Sequence, residues 1–502
     1  MQHTLRLALA TATAAALTGG LLTFSAATAT AADSTHVPQA DFNGDGVGDV
    51  AFSADGAYVN AKKNAGQIVA LYGTPAGVSD GTYSGDLEPA TPNSTISQNS
   101  NGIPGGAEAG DSFGRDSAYA DFNGDGYDDL AVSAPGEDID GDTDGGMVTI
   151  LWGSASGLQG GSVVADPARS AHDFWGKTLA AGDFDGDGKA DLAVGSNTGT
   201  IHVLKGGFDS SGAPGGRYTI KPPIMDGSEV GGPMNLTAGN INGGPETDLV
   251  VDGYETETDY GWNRNYFIPG GSGGLNVSGA EPLKPGVITA IGDIDHDGYG
   301  DVVSGAHWNT TTEDGTPVPD SGKGGKVWVI RGSDGGPLTT AATGITQDTN
   351  NVPGTAEGND YFGYELDLGD VNGDGFLDLA IGVAGENIGD DVDTGAVTIL
   401  YGTASGLNTA SGAQSFSQDT ASVPGTNEDN DMFGIDVKLD DVTGDGRADL
   451  LAGSAENDGN GLVTFLPSNG SKITTTGADS VAPHWTGVAS TGTPYFGANF
   501  AD

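Results

Sequence analysis

The chain has 502 residues, with 18 Lys and Arg against 69 Asp and Glu, for a net charge of −51. So large a negative excess argues against a nucleic-acid binder, which must neutralise phosphates, and against electrostatic docking on an anionic membrane. Gly supplies 88 residues and Cys 0, which excludes disulfides, thiol catalysis and Cys-ligated zinc.

The first element in chain order is a leader. Arg6 supplies a positive start, Leu7 to Phe24 is an Ala/Leu/Thr-rich apolar stretch, and Ala29-Thr30-Ala31 fits a small-residue cleavage site. Residues 1–32 are therefore expected to be a signal peptide. Residues 33–502 are expected to be one exported domain, secreted and extracellular.

That domain is a repeat. A nonapeptide of the form D-x-[D/N]-G-D-G-x-x-D, followed by an apolar run, recurs seven times at spacings of roughly 50–80 residues. The copies start at Asp41, Asp121, Asp183, Asn240, Asp293, Asp370 and Asp441. An aromatic-Gly pair lies upstream of several copies, at Phe113-Gly114, Phe362-Gly363 and Phe433-Gly434, with Phe174-Trp175-Gly176 as a variant. Downstream come a strand with a small-residue end, such as Ala131-Val-Ser-Ala-Pro-Gly136, and a strand of the type Gly66-Gln-Ile-Val-Ala-Leu-Tyr-Gly73. About four short strands per unit, seven times over, predict an all-β, seven-bladed β-propeller. Radial closure protects strand edges that an open sheet would expose. The mature N-terminus begins just before the Asp41 loop, without a preceding strand. Residues 494–502, which include Tyr495-Phe-Gly-Ala-Asn-Phe-Ala-Asp502, look like the start of another unit. They are expected to close the ring as the inner strand of blade 1.

The nonapeptide has the chemistry of a calcium loop. Ca²⁺ takes six to eight oxygens, and short carboxylates or amides at positions one, three, five and nine surround one point. A β-run begins straight after position nine, which excludes an EF-hand. The expected metal ligands are Asp41, Asn43, Asp45 and Asp49 in loop one, and Asp121, Asn123, Asp125 and Asp129 in loop two. Loop three offers Asp183, Asp185, Asp187 and Asp191, and loop five offers Asp293, Asp295, Asp297 and Asp301. Loop six offers Asp370, Asn372, Asp374 and Asp378, and loop seven Asp441, Thr443, Asp445 and Asp449. Loops three and five carry four carboxylates each and are expected to bind best. Loop four has Asn240, Asn242 and Gly244 at its first three ligand positions and is expected to be empty or weak. The expected cofactor is calcium, about five to six ions per chain.

Phe-Gly, then the acidic nonapeptide, then a Gly-Ala-Pro-like segment, resembles the FG-GAP repeat. Such repeats build the propeller of integrin α subunits and occur in glycosylphosphatidylinositol-specific phospholipases D and in many secreted bacterial proteins. Phe113-Gly114, Asp121 to Asp129 and Ala134-Pro135-Gly136 make the clearest match. The resemblance implies calcium loops on one face, ligands on the opposite face or rim, and extracellular binding or adhesion. The integrin legs and transmembrane helix are missing, so the resemblance carries the fold and the metal rather than a ligand.

Catalytic patterns are sparse. G-x-S-x-G occurs at Gly77 to Gly81 and at Gly270 to Gly274, neither between a buried strand and a helix. His307-Trp308 and His484-Trp485 are the His pairs of interest, with packing as their favoured role. Tyr72, Trp152 and Tyr401 recur at equivalent positions and read as core. Segments 74–112 and 306–361 are candidate ligand-contact regions. The expectation is a monomeric, non-catalytic module for an extracellular protein or glycan. A secreted esterase- or phospholipase-type hydrolase on the same scaffold, or a lectin, are the alternatives.

Overall fold

In a computed structural model the described residues are 37–74, 93–227, 231–256, 263–308, 311–313, 316–456 and 458–502. Residues 1–36, which include the expected leader, and residues 75–92 of the candidate ligand-contact segment 74–112 lie outside them. Almost all regular structure is β, and seven antiparallel sheets follow one another as seven propeller blades.

Blade 1 holds β1 (Val50–Ala54), β2 (Gln67–Leu71) and β3 (Asn93–Ile96). Blade 2 runs β4 (Ser117–Ala120), β5 (Asp129–Ala134), β6 (Met147–Trp152) and β7 (Gln159–Val164). Blade 3 runs β8 (Leu179–Gly182), β9 (Asp191–Val194), β10 (Ile201–Lys205) and β11 (Gly216–Ile220). Blade 4 runs β12 (Asn235–Gly239), β13 (Asp248–Tyr254), β14 (Asn263–Ile268) and β15 (Glu281–Pro282). Blade 5 holds β16 (Ile288–Gly292) and β17 (Asp301–Ala306), then a small hairpin of β18 (Thr312–Glu313) and β19 (Thr316–Pro317). It continues with β20 (Lys326–Ile330) and β21 (Thr343–Ile345). Blade 6 runs β22 (Phe362–Gly369), β23 (Asp378–Val383), β24 (Ala396–Leu400) and β25 (Gln414–Phe416). Blade 7 runs β26 (Asp436–Asp440), β27 (Asp449–Ser454), β28 (Leu462–Leu466) and β29 (Asp479–Val481).

Second strands such as Asp129–Ala134 and Asp378–Val383 are buried along their whole length. They lie between neighbours on both sides and above and below, so they read as continuous apolar runs rather than alternating ones. The core lies in the interfaces between blades, as in the cluster that joins Leu192 and Val194 of blade 3 to Ile150 and Trp175.

The aromatic-Gly pair is a joint between blades. The backbone N–H of Phe113 donates to Ala65 O, and that of Phe433 donates to Thr394 O. The third strand must then start with no side chain. Gly66 has φ +82, and a Cβ there would sit 2.2 Å from the Phe113 carbonyl oxygen.

Residues 496–502 follow the same pattern against blades 7 and 1. Gly497 N donates to Ser53 O, Ser53 N to Asn499 O and Ala501 N to Ala51 O, and Phe500 bridges Phe52 antiparallel. Phe52 meets the rings of Phe496 and Phe500 edge-on at 4.9 and 5.8 Å.

Inner strands are latched sideways by carboxylates. Asp116 accepts from Leu179 N at 3.0 Å, Asp367 from Leu439 N at 2.6 Å and Asp436 from Phe500 N at 2.6 Å. These groups line the axial region, where a cavity of about 530 Å³ is bounded by Arg115, Asp116, Lys177, Glu365, Asp436 and Asp502, among others. Among the described residues, no helix is long and apolar enough to cross a membrane.

Candidate metal centres

In blades 2 to 7 each nonapeptide connects the first strand of its blade to the second, and in blade 1 it leads into β1, which has residues 496–502 on its inner side and so holds the second place. Consecutive strands are antiparallel, so all seven loops lie at the same end of the propeller, opposite the connections between second and third strands.

Position one organises the turn. Asp41 accepts from Asp45 N at 3.1 Å and from Gly46 N at 3.0 Å. Asp121, Asp183, Asp293, Asp370 and Asp441 accept from the equivalent position-five and position-six N–H groups. The positive φ of Gly46, +84, brings that second N–H round to the carboxylate.

Position nine opens the second strand in loops two to seven and precedes it in loop one. Its Oδ1 accepts a backbone N–H from a residue one or two places past the third strand in every blade. The donors are Gly73, Gly153, Gly206, Gly270, Gly332, Gly402 and Ser468, at 2.8 to 3.1 Å. The sequence showed this Asp as a ligand that closes a cage. It is also a lock between loop and sheet, and that second role accounts for Asp248 in loop four, where other acids are gone. An oxygen with two lone pairs can accept one N–H and still face a cation.

These carboxylates are costly without a cation. Burial, with added repulsion from neighbouring acids, pushes Asp49, Asp129 and Asp378 up to about 8. The same causes push Asp191, Asp301 and Asp449 to about 7, and Asp248 to about 6. Asp191 Oδ2, Asp295 Oδ1 and Asn123 Oδ1 are buried with no hydrogen-bond partner. Asp183, Asp185 and Asp187 bring carboxylate oxygens within 4.8 Å of one another, and so do Asp293, Asp295 and Asp297. An all-oxygen, carboxylate-rich donor set with orphaned oxygens fits a hard divalent cation.

Loop four differs in the sense its residues imply. Asn240 Nδ2 donates to Gly244 O, and Asn242 Nδ2 donates to Asp248 Oδ1 at 2.8 Å. The amide hydrogens of Asn240 and Asn242 are thus turned on oxygens of their own loop, so this loop is closed by its own side chains.

The other expected features add no donor to the loops. The Gly77–Gly81 pattern lies outside the described residues, and Gly270–Gly274 forms a turn with Gly274 N bonded to Gly271 O. His307 stacks on Tyr364 at 5.1 Å and meets Tyr361 edge-on. Tyr72 and Tyr401 send their hydroxyls to the backbone N–H groups of Leu158 and Ile473 in the next blades. These rings serve joints between blades rather than a sugar shelf. The structure also gathers what the sequence left apart: His172 stacks on Trp175, lies beside His202, and places Nε2 3.4 Å from Asp166 Oδ1.

Asp252 of β13 is a buried acid away from the loops, held by Asn263 Nδ2 at 2.9 and 3.3 Å. Burial pushes it up to about 8. A folded-state value above the unfolded one means a stabilising contribution present below about pH 4 and lost as pH rises through about 8. Asp252→Asn is therefore expected to melt above the parent at pH 9 and close to it at pH 5, at constant calcium. A melting difference that does not change with pH contradicts this assignment.

The family model for the FG-GAP repeat matches residues 113–151, 175–204 and 362–400. The chain is a seven-bladed β-propeller that carries FG-GAP repeats, and parts of it are similar to the following relatives. The phosphatidylinositol-glycan-specific phospholipase D of Mus musculus is 33% identical over 158 residues, 31% of this chain and 17% of that one. Its Homo sapiens counterpart is 29% identical over 242 residues, covering 48% and 26%. Integrin alpha-PS2 of Drosophila melanogaster is 26% identical over 273 residues, covering 52% and 14%. The match thus spans about a quarter or less of each relative's own length. These relatives are animal proteins and give no support to a bacterial type.

Proposed function

We propose that the protein is secreted after loss of residues 1–32 and works as a calcium-loaded adhesion or binding module for an extracellular protein or glycan. The single observation that carries this reading is the repeated donor set. Loops three and five each bring three carboxylates within 4.8 Å of one another. Loops one, two, six and seven repeat the same donor positions at the same end of the propeller, with buried, unpartnered oxygens at Asn123 and Asp449. Loop four turns its amides on its own oxygens. Calcium in these loops would be held by Asp41, Asp121, Asp183, Asp293, Asp370, Asp441 and their partners at positions three, five and nine. It would supply positive charge that fixes each loop against its blade. The rigid blades then leave the opposite face and rim for recognition. The integrin relative supports a binding role.

The phospholipase relatives favour one second reading, a hydrolase on the same scaffold. One experiment separates the two. The purified, calcium-loaded protein is screened for ester, phosphodiester and glycoside hydrolysis, then for binding to a glycan and cell-wall panel, each with a chelated control. Calcium-dependent binding without turnover is expected; calcium-dependent turnover overturns the binding reading.

A further inference from the structure

The seven blades compare one unit with itself, and two positions change together. Position three of the loop is Asn43, Asn123, Asn242 and Asn372 in blades 1, 2, 4 and 6, and Thr443 in blade 7. The residue directly before the N–H donor to position nine, at the end of the third strand or one place past it, is Tyr72, Trp152, Pro269, Tyr401 or Pro467 in those blades. Blades 3 and 5 break both patterns at once. There position three is Asp185 or Asp295, and the residue before the donor is Lys205 or Arg331. Asp stands at position three only where that residue is a cation, and that residue is a cation only where Asp stands.

The pairs are in contact. Lys205 Nζ bonds Asp185 Oδ2, and Arg331 Nη1 lies 2.8 Å from Asp295 Oδ2. Each cation engages one oxygen of its acid. The second oxygen of Asp295, Oδ1, is buried with no partner, and Asp295 is 7% exposed. The acid thus keeps one oxygen for a cation in the loop, while its charge is cancelled from outside. An Asn at position three offers the same: one oxygen and no net charge. Loops three and five return in this way to the three net negative charges that loops one, two and six carry at their ligand positions.

We propose that Lys205 and Arg331 are built-in counter-charges that set the metal affinity of loops three and five, holding them level with the three-carboxylate loops instead of making them the tightest. This inference rests on the reading of the loops as metal sites and replaces the expectation that four carboxylates bind best. An ordinary surface ion pair predicts a different result, because its loss leaves metal binding unchanged.

The test uses the full chain and calcium alone, titrated against a chromophoric chelator. In the double variant Lys205→Gln/Arg331→Gln, two sites are expected to tighten about tenfold, since a unit positive charge near a divalent ion has been removed. Its metal-free form is expected to melt lower than the parent's, and its calcium-loaded form is expected to recover the difference. Adding Asp185→Asn and Asp295→Asn to that variant is expected to restore the parental affinities. Asp185→Asn/Asp295→Asn alone, with both cations kept, is expected to weaken two sites by a similar factor. If the parent binds calcium and the double variant shows no site tightened, the counter-charge proposal is overturned and the metal loops stand. If the parent binds no calcium, the reading of the loops falls first and this inference with it.

Discussion

Stripping calcium with a chelator is expected to lower the melting temperature by on the order of 10 °C, and to return it on adding calcium back. The magnitude follows from linkage. A site filled at a hundredfold excess over its dissociation constant adds about 2.7 kcal/mol to the folded state, and several such sites act on one domain. Against the unfolding entropy of a domain this large, each kcal/mol moves the midpoint by roughly a degree. The same conclusion follows from the carboxylates. Asp49, Asp129 and Asp378 are each buried beside further acids of their own loops. Without a cation that repulsion opposes the folded loop; with one it becomes attraction. The measurement is a thermal melt by circular dichroism at one pH and salt, with and without chelator. An unchanged midpoint would reduce the loops to hydrogen-bonded turns.

Deleting residues 494–502 is expected to cost on the order of 10 kcal/mol, enough to lower the midpoint by some 10 °C or to prevent folding. The deletion removes Phe496 and Phe500 from around Phe52, in a cluster that also holds Val463 and Val488. It strips the backbone partners from Ser53 and Ala51 and leaves one edge of β1 bare. It also removes the N–H that Asp436 accepts from Phe500, leaving a buried carboxylate with less support. Phe496→Ala keeps the backbone contacts and is expected to cost about 3–5 kcal/mol, which separates side-chain packing from strand pairing. A truncated protein that melts like its parent would mean that the ring does not depend on this strand.

Much of the architecture was readable because local chemistry repeats. The acidic nonapeptide is recognisable at each copy, and seven copies set the blade count without any knowledge of long-range contacts. Phe496-Gly497 was recognisable as one more aromatic-Gly pair because Phe113-Gly114 and Phe433-Gly434 preceded it. Contacts set by the sheet rather than by neighbouring residues were not readable. Asp49 and Gly73 meet only because the loop and the end of the third strand lie side by side. Lys205 reaches Asp185 for the same reason, and no spacing rule for a single repeat would pair them. The roles of Tyr72 and Tyr401 depend on which blade lies next to them, which becomes visible only once the ring is built.

Metal is expected in six of the seven loops and not in loop four. Equilibrium dialysis of the purified protein against calcium counts the ions. About five to six are expected per chain, with the number unchanged by Asn240→Ala and reduced by one in Asp121→Ala. Zero or one ion bound would mean that the loops are turns and not metal sites.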